Sequence, residues 1–296
     1  DYRLIKIPKK DGSFRSIHAP CVPLKSFQRR FLKDFLYNFT LAGQGGVIFG
    51  FRPFHSCVSN ATYHSHRKSD YVLKLDLKDA FPSVTEKHLR ELFREILASR
   101  LGRSEVSGEF IEFLLPLLTY NGVLPQGAPT SPYLLNLVLC HSGLIAKIRE
   151  FLKEKEITSF TVYADDFAIS SEDPISNEVR DELIALIETE SDFRINRKKI
   201  FYFKRSSVAP MITGLRLVRF TNKQGTEVSA VHLPKSEIRK IRGLIYKTTY
   251  ETSEELRKAL IPVLMGHVAR LREIYGKRLP RQIEVPYKVF REVCRG

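Results

Sequence analysis

Three aspartates carry the chemistry worth asking about. Asp165 and Asp166 adjoin within Phe160–Ser170 (FTVYADDFAIS), and Asp76 sits inside Tyr71–Phe81 (YVLKLDLKDAF). The runs flanking Asp165-Asp166 are β-branched and aromatic and predict two short strands. Side chains alternate across a strand, so the pair can converge on one point only if the chain turns there, as a hairpin tip does. Two carboxylates held side by side need a cation or solvent, and an all-oxygen site suits Mg²⁺ with room for substrate phosphates. Asp76 interrupts the apolar run Val72, Leu73, Leu75, Leu77, where a carboxylate is costly unless it is paired or metal-bound. If that strand lies beside the hairpin, Asp76 and Asp165 can together hold two Mg²⁺ ions, the requirement for in-line phosphoryl or nucleotidyl transfer. The plainer alternatives are a solvated Asp-Asp turn and an Asp76 that ends its strand and caps a helix near Ser83–Glu86.

The elements that would position these residues follow from the rest of the chain. Its 296 residues make one large or two to three small domains, and 43% apolar content supports a real core. The net charge of +15 is spread along the chain, which points to a polyanionic partner, nucleic acid first. Cys21, Cys57, Cys140 and Cys294 show no paired spacing, so neither a zinc site nor a disulfide framework is signalled. No apolar run reaches membrane-spanning length, and no signal peptide is expected. A cytoplasmic setting with no membrane partner fits.

Residues 1–20 alternate around Lys9-Lys10-Asp11-Gly12 and predict a β-hairpin with an Asp-Gly turn. Lys9, Lys10 and Arg15 make it a cationic finger able to hold a triphosphate. Leu24–Phe39 has helical spacing. GFRPFHS (50–56) predicts a loop bearing Arg52, and the polar stretch after it predicts a helix on the surface or over a groove. There Asn60 and His64 share a face, whereas His64 and His66 do not, which argues against a metal pair. Leu89–Leu118 predicts helices broken near Ser99–Ser107 and around Pro116. In LPQGAPTSPYLLNLVL (124–139) a Gln-Gly turn leads into a helix from Ser131 with Pro132 in its first turn. Gln126 and nearby backbone N–H groups are thereby offered to a nucleotide. Lys235–Lys247, Ser253–Tyr275 and Arg281–Val293 predict helices, and from Met265 onward eight basic residues face three acidic ones.

LKLDLKDAF, LPQGAPTSP and VYADDFAIS occur in the order and near the spacing found in reverse transcriptases, and the sequence resembles that family over nearly its whole length. IPKKDGSFRSI and GFRPFHS are similar to the fingers blocks of the bacterial enzymes. NATYH (60–64) resembles the Asn-Ala-x-x-His signature of retron reverse transcriptases, and ITG (212–214) their Val-Thr-Gly element. The chain's brevity also resembles retron enzymes more than intron-encoded ones.

The resemblance implies an α+β right-hand polymerase: fingers over 1–69, a palm of antiparallel sheet and helices over 70–230 with a helical fingers insertion near 90–122, and a small helical thumb over 231–296. It implies catalytic, metal-binding Asp76, Asp165 and Asp166, with the Leu77 carbonyl completing the shell of two Mg²⁺ ions. Nucleotide contacts fall to Lys9, Lys10, Arg15, Arg52, Gln126 and Lys199, with Phe81 as a steric gate against the 2′-hydroxyl. Nucleic-acid contacts fall to Asn60, His64, Asn196 and Gly214, and the basic excess after Met265 adds Arg270, Arg272, Lys277 and Arg278 as expected contacts to a duplex or structured RNA. Asn196 and Lys199 lie in a block similar to Asn-x-x-Lys-Thr, with Ile200 in place of threonine. The implied partners are dNTPs and a structured non-coding RNA, template and primer for its own cDNA, in antiphage defence; an effector protein is left open. Two other readings are another bacterial defence or intron-type reverse transcriptase, and an inactive RNA-binding scaffold of the same fold, which has no need of a repulsive carboxylate cluster.

Overall fold

The computed structural model describes all residues except 9–11, 13, 40, 42–45, 67, 68, 102–107 and 294–296. In chain order the elements are β1 (Tyr2–Pro8), β2 (Phe14–Pro20), α1 (Val22–Asp34), α2 (Cys57–Ser65), β3 (Tyr71–Lys78), α3 (Ala80–Ser83), α4 (Glu86–Leu101), α5 (Gly108–Leu118), α6 (Ser131–His141), α7 (Leu144–Glu154), β4 (Ser159–Tyr163), β5 (Asp166–Ser171), α8 (Asn177–Thr189), β6 (Arg194–Ile195), β7 (Phe201–Lys204), β8 (Met211–Ile212), β9 (Leu215–Thr221), β10 (Glu227–His232), α9 (Lys235–Tyr250), α10 (Glu254–Tyr275) and α11 (Arg281–Val293). They form two compact units, Asp1–Ser56 with Lys68–Val208, and Cys57–Arg67 with Ala209–Gly296. α2 belongs with the C-terminal elements.

The first unit is built on an antiparallel sheet in the order β4-β5-β3, with β6 and β7 both pairing β3 on its other edge. β3 pairs with strands on both edges and is buried over most of its length, its leucines alternating with Lys74, Asp76 and Lys78. Helix α6 is buried from Tyr133 to Cys140 and packs on α4 and α7 within one apolar core. The helix expected to break around Pro116 instead runs through it to Leu118. Pro116 lies on the exposed face near the helix end, where the carbonyl left without an amide can meet water. β1 and β2 form the expected N-terminal hairpin, in register from Tyr2↔Pro20 to Pro8↔Phe14; its Asp-Gly turn, with Lys9 and Lys10, lies outside the described residues.

The second unit packs α2 against the β8-β9-β10 sheet and α9 against α10 and α11. α2 is expected on the surface or over a groove; it does not lie free on the surface, since Val58, Asn60, Ala61, His64 and Ser65 are buried. β8 and β9 are joined by Thr213-Gly214, both left-handed (φ 46° and 78°), the two-residue turn whose twist matches the strands. Thr213 Oγ1 donates to the Cys57 carbonyl at 2.7 Å, tying this turn to the start of α2. α10 is capped by Ser253, whose hydroxyl accepts from Leu256 N–H. Among the described residues no helix is long and apolar enough to cross a membrane.

Candidate active site

β4 and β5 pair from Ser159↔Ser170 to Tyr163↔Asp166, leaving Ala164-Asp165 as the two-residue loop. Ala164 is left-handed (φ 57°). Asp165 therefore occupies the hairpin tip, and Asp166 is the first residue of β5. On the other side of β5, Asp76 of β3 lies directly opposite Asp166. Opposed residues of an antiparallel pair share a face, and Leu77 N–H donates to the Asp165 carbonyl at 2.9 Å, continuing the register into the tip. The three aspartates thus cluster at one end of two adjacent strands. Asp76 neither ends its strand nor caps a helix, since β3 runs on to Lys78.

The hairpin is braced from outside by residues the sequence reading did not single out. Segment 47–50 lies along β4: Val162 N–H donates to the Val47 carbonyl and Phe49 N–H to the Val162 carbonyl, each at 2.8 Å. A Cβ on Gly50 would lie 2.5 Å from the Ala164 nitrogen, so no larger residue fits there without moving the tip. Buried Asn136 on α6 donates to the Gly50 carbonyl at 2.7 Å. The available signals were a glycine closing the apolar run Val47-Ile48-Phe49 and one asparagine inside the apolar stretch Leu134–Leu139.

A cleft of about 1100 Å³ opens over Asp76 and Asp165. Of the expected residues it gathers Arg15, Asp76, Leu77, Gln126, Asp165, Asn196 and Lys199. The β1–β2 hairpin and the Gln-Gly turn are locked together on its wall. His18 N–H donates to the Gln126 carbonyl at 2.7 Å, and a Cβ on Gly127 (φ 121°) would fall 2.7 Å from Ile17 Cγ2. Asp166 is half-buried and does not line the cleft. Phe81 is half-buried too, with its ring packed against the core, while its neighbours Ala80 and Pro82 line the cleft. Arg52 lines a separate cavity of about 330 Å³ beside Tyr133.

The remaining expected residues lie in the second unit. Asn60 and His64 are 1% and 0% exposed, so neither side chain offers a surface for a nucleic-acid strand in this arrangement. Gly214 forms the β8–β9 turn, and Arg270 Nη2 lies 3.6 Å from where its Cβ would be. Arg272, Lys277 and Arg278 are exposed.

Burial raises the Asp165 carboxyl above the usual range, helped by the charges of Asp76 and Asp166. Burial likewise raises Asp166, with Asp76 adding to it and Lys74 opposing. Lys199 is partly desolvated, which lowers its affinity for a proton, but contact with Asp76 and the nearby Asp165 and Asp166 outweighs this and raises it. Among the described residues no three acidic, histidine or cysteine side chains are arranged to cage a metal as they stand. Both Asp76 oxygens are engaged by Lys199. The donor chemistry nevertheless fits a hard divalent cation, because the carboxylates of Asp76, Asp165 and Asp166, whose mutual repulsion is only partly balanced, lie at this one end of the sheet.

Two solved telomerase structures share this architecture. Apo telomerase from Candida tropicalis superposes with a TM-score of 0.52 at 13% identity, covering 99% of this chain and 57% of that one. Telomerase from Candida albicans in complex with a telomeric RNA fragment gives 0.50 at 11% identity, over 99% and 54%. The fold is α+β of the right-hand polymerase class. A family model described as reverse transcriptase (RNA-dependent DNA polymerase) matches residues 7–228, and the chain belongs to that family. The resemblance to retron enzymes read from the motifs also holds. The chain is 30% identical to the retron Mx65 reverse transcriptase of Myxococcus xanthus over 95% of its own length and 64% of the relative's. It is 31% identical to the retron Mx162 enzyme of that organism over 81% and 51%, and 27% identical to the retron Ec86 enzyme of Escherichia coli over 93% and 83%. It spans less than two thirds of the length of the two M. xanthus relatives.

Proposed function

We propose that this chain is an RNA-directed DNA polymerase of retron type, copying a dedicated structured non-coding RNA into DNA as part of antiphage defence. The observation that carries the reading is Asp165 at a hairpin tip beside the Asp76–Asp166 cross-strand pair, on the floor of a cleft large enough for a nucleotide. The similarity to retron reverse transcriptases supports the choice of template and product.

Asp76, Asp165 and Asp166, with the Leu77 carbonyl, would hold two Mg²⁺ ions. The chemistry gained at these carboxylates when the ions are bound is activation of a primer hydroxyl and neutralisation of the departing pyrophosphate. Arg15, with Lys9 or Lys10, neutralises the triphosphate. Gln126 contacts the incoming nucleotide from a wall fixed by its own carbonyl and by Gly127. Phe81 excludes the 2′-hydroxyl from beneath the sugar. Arg270, Arg272, Lys277 and Arg278 meet phosphates of a duplex or structured RNA. Asn60 and His64 act by holding α2 in place for that surface. Residues 1–69, 70–230 and 231–296 serve as fingers, palm and thumb.

Sequencing nucleic acid that copurifies with the protein, beside an Asp165→Asn/Asp166→Asn control, tests the reading. One structured RNA covalently joined to a short cDNA, absent from the control, is expected. RNA without DNA in both samples would overturn it.

A further inference from the structure

The Asp76 carboxylate is already held by a cation of the protein itself. Lys199 Nζ donates to both of its oxygens, at 2.9 and 2.8 Å, and Asn196 Nδ2 reaches one of them at 3.3 Å. These are the distances of a charge-assisted pair. The backbone beneath the lysine is fixed to the strand that carries its partner. Asn196 N–H donates to the Asp76 carbonyl at 2.8 Å, Lys199 N–H to the Asn196 carbonyl at 2.8 Å, and Asn196 Oδ1 accepts from Lys198 N–H. The lysine side chain is half exposed (49%), whereas that of Asp76 is largely buried (9%).

That asymmetry has consequences. Removing the lysine from a largely buried Asp76 would leave a carboxylate opposite Asp166 and near Asp165 without its closest positive partner, the costly case for a buried charge. A divalent cation binding through Asp76 must take an oxygen that Lys199 now occupies. The displaced ammonium is a compact charge on a flexible four-carbon stem. It lines the same cleft as Arg15 and Gln126, and with Asp165 and Asp166 also committed to the cation, a phosphate held in the cleft is the anion left for it.

We propose that Lys199 is an exchangeable counter-ion: it neutralises Asp76 while no divalent cation is bound, yields the carboxylate when one binds, and passes to the phosphates of the incoming nucleotide. The role rests on the polymerase reading for the identity of that nucleotide. The exchange keeps the charge of the cleft balanced through both loading steps and links metal entry to triphosphate capture. Lys199 is thus a positioning residue for the metal and a binding residue for the substrate.

Three roles for this lysine give different signs in two equilibrium titrations of the 296-residue chain. The first titrates Mn²⁺ alone, read by the loss of its free electron-spin signal; the second titrates dTTP in saturating Ca²⁺, which tests binding without requiring turnover. The exchange predicts that Lys199→Met and Lys199→Gln bind Mn²⁺ about tenfold tighter and dTTP about tenfold more weakly than the parent. A lysine that only props Asp76 in place would weaken both titrations, and one that only repels cations would strengthen both. Either same-sign result, or unchanged Mn²⁺ affinity, overturns the proposal. Asp76→Asn should abolish the gain in Mn²⁺ affinity when combined with Lys199→Met, and a persisting gain also counts against it. Melting curves in EDTA confirm that each variant is folded, and Lys199→Gln substitutes if Lys199→Met is not. Failure of the polymerase reading looks different: it is absence of DNA synthesis by the parent chain, which these titrations do not measure.

Discussion

Asp76 and Asp166 face each other directly across the β3–β5 ladder. Like charges in directly opposed positions destabilise a sheet, and this pair stands within a cluster completed by Asp165 at the adjoining tip. The fold therefore holds together, through the rigid register of its central strands, charges that would separate if free to do so. The cost has a direction that can be measured.

The Asp165 carboxyl is raised by burial and by its two carboxylate neighbours, so its ionised form destabilises the metal-free fold. Asp165→Asn should raise the melting temperature in EDTA at neutral pH by about 2 °C, corresponding to roughly 1 kcal/mol for a chain of this size, while abolishing DNA synthesis. Differential scanning calorimetry at pH 7.5 checks the first part. An unchanged or lower melting temperature would show that Asp165 is not under electrostatic strain.

The same shifts set a pH dependence. Asp165 and Asp166 bind protons more tightly folded than unfolded, so the metal-free protein gains stability from these groups as pH falls below their raised folded values toward the ordinary carboxylate range. Divalent cations need the ionised forms, so metal affinity runs the opposite way. Urea midpoints in EDTA for Asp165→Asn/Asp166→Asn and for the parent should converge as pH is lowered from 7.5 to 5, and Mn²⁺ affinity of the parent should drop over that interval. Parallel curves at all pH values would contradict the shifts.

How much of this was legible in the sequence depends on the range of each interaction. The hairpin tip at Asp165 and the strand around Asp76 were legible because strand alternation and an apolar run are local signals. So was α6, with Pro132 in its first turn. That Asp76 would face Asp166 depends on register between residues 90 apart and was only a condition in the sequence reading. The packing of Gly50 on Ala164 and the reach of Asn136 to Gly50 are close approaches between distant segments, invisible to periodicity. α2 is a related case: its polar residues suggested a surface or a groove without choosing, and it is tertiary packing that buries Asn60 and His64.

Gly50 offers a test of the bracing. Its missing Cβ is needed because the site of that atom is 2.5 Å from backbone, which cannot rotate aside. Gly50→Ala should cost at least about 2 kcal/mol, as strained or overpacked positions do, and should lower DNA synthesis more than Gly46→Ala, where a Cβ meets nothing within 4 Å. Urea unfolding of the two variants gives the comparison. Equal midpoints would mean that the 47–50 segment yields and that the hairpin tip does not depend on it.

Phe81 tests substrate selection. Its ring packs against the apolar core of the first unit while Ala80 and Pro82 on either side line the cleft, so the side chain is fixed by the same packing that sets the cleft wall. Truncation should therefore have two separable effects. Loss of packing by a half-buried ring should lower stability by about 1–3 kcal/mol, less than the roughly 3–5 kcal/mol of a fully buried phenylalanine. Loss of the support that the ring gives the cleft wall from behind should let a 2′-hydroxyl in. Phe81→Ala should incorporate ribonucleotides at a markedly higher ratio to deoxyribonucleotides than the parent, and Phe81→Leu should fall between them. The ratio matters more than either rate, because a general loss of stability lowers both rates together. A variant that is destabilised yet keeps the parent's sugar selectivity would make Phe81 a core residue and leave exclusion of the 2′-hydroxyl to another part of the cleft.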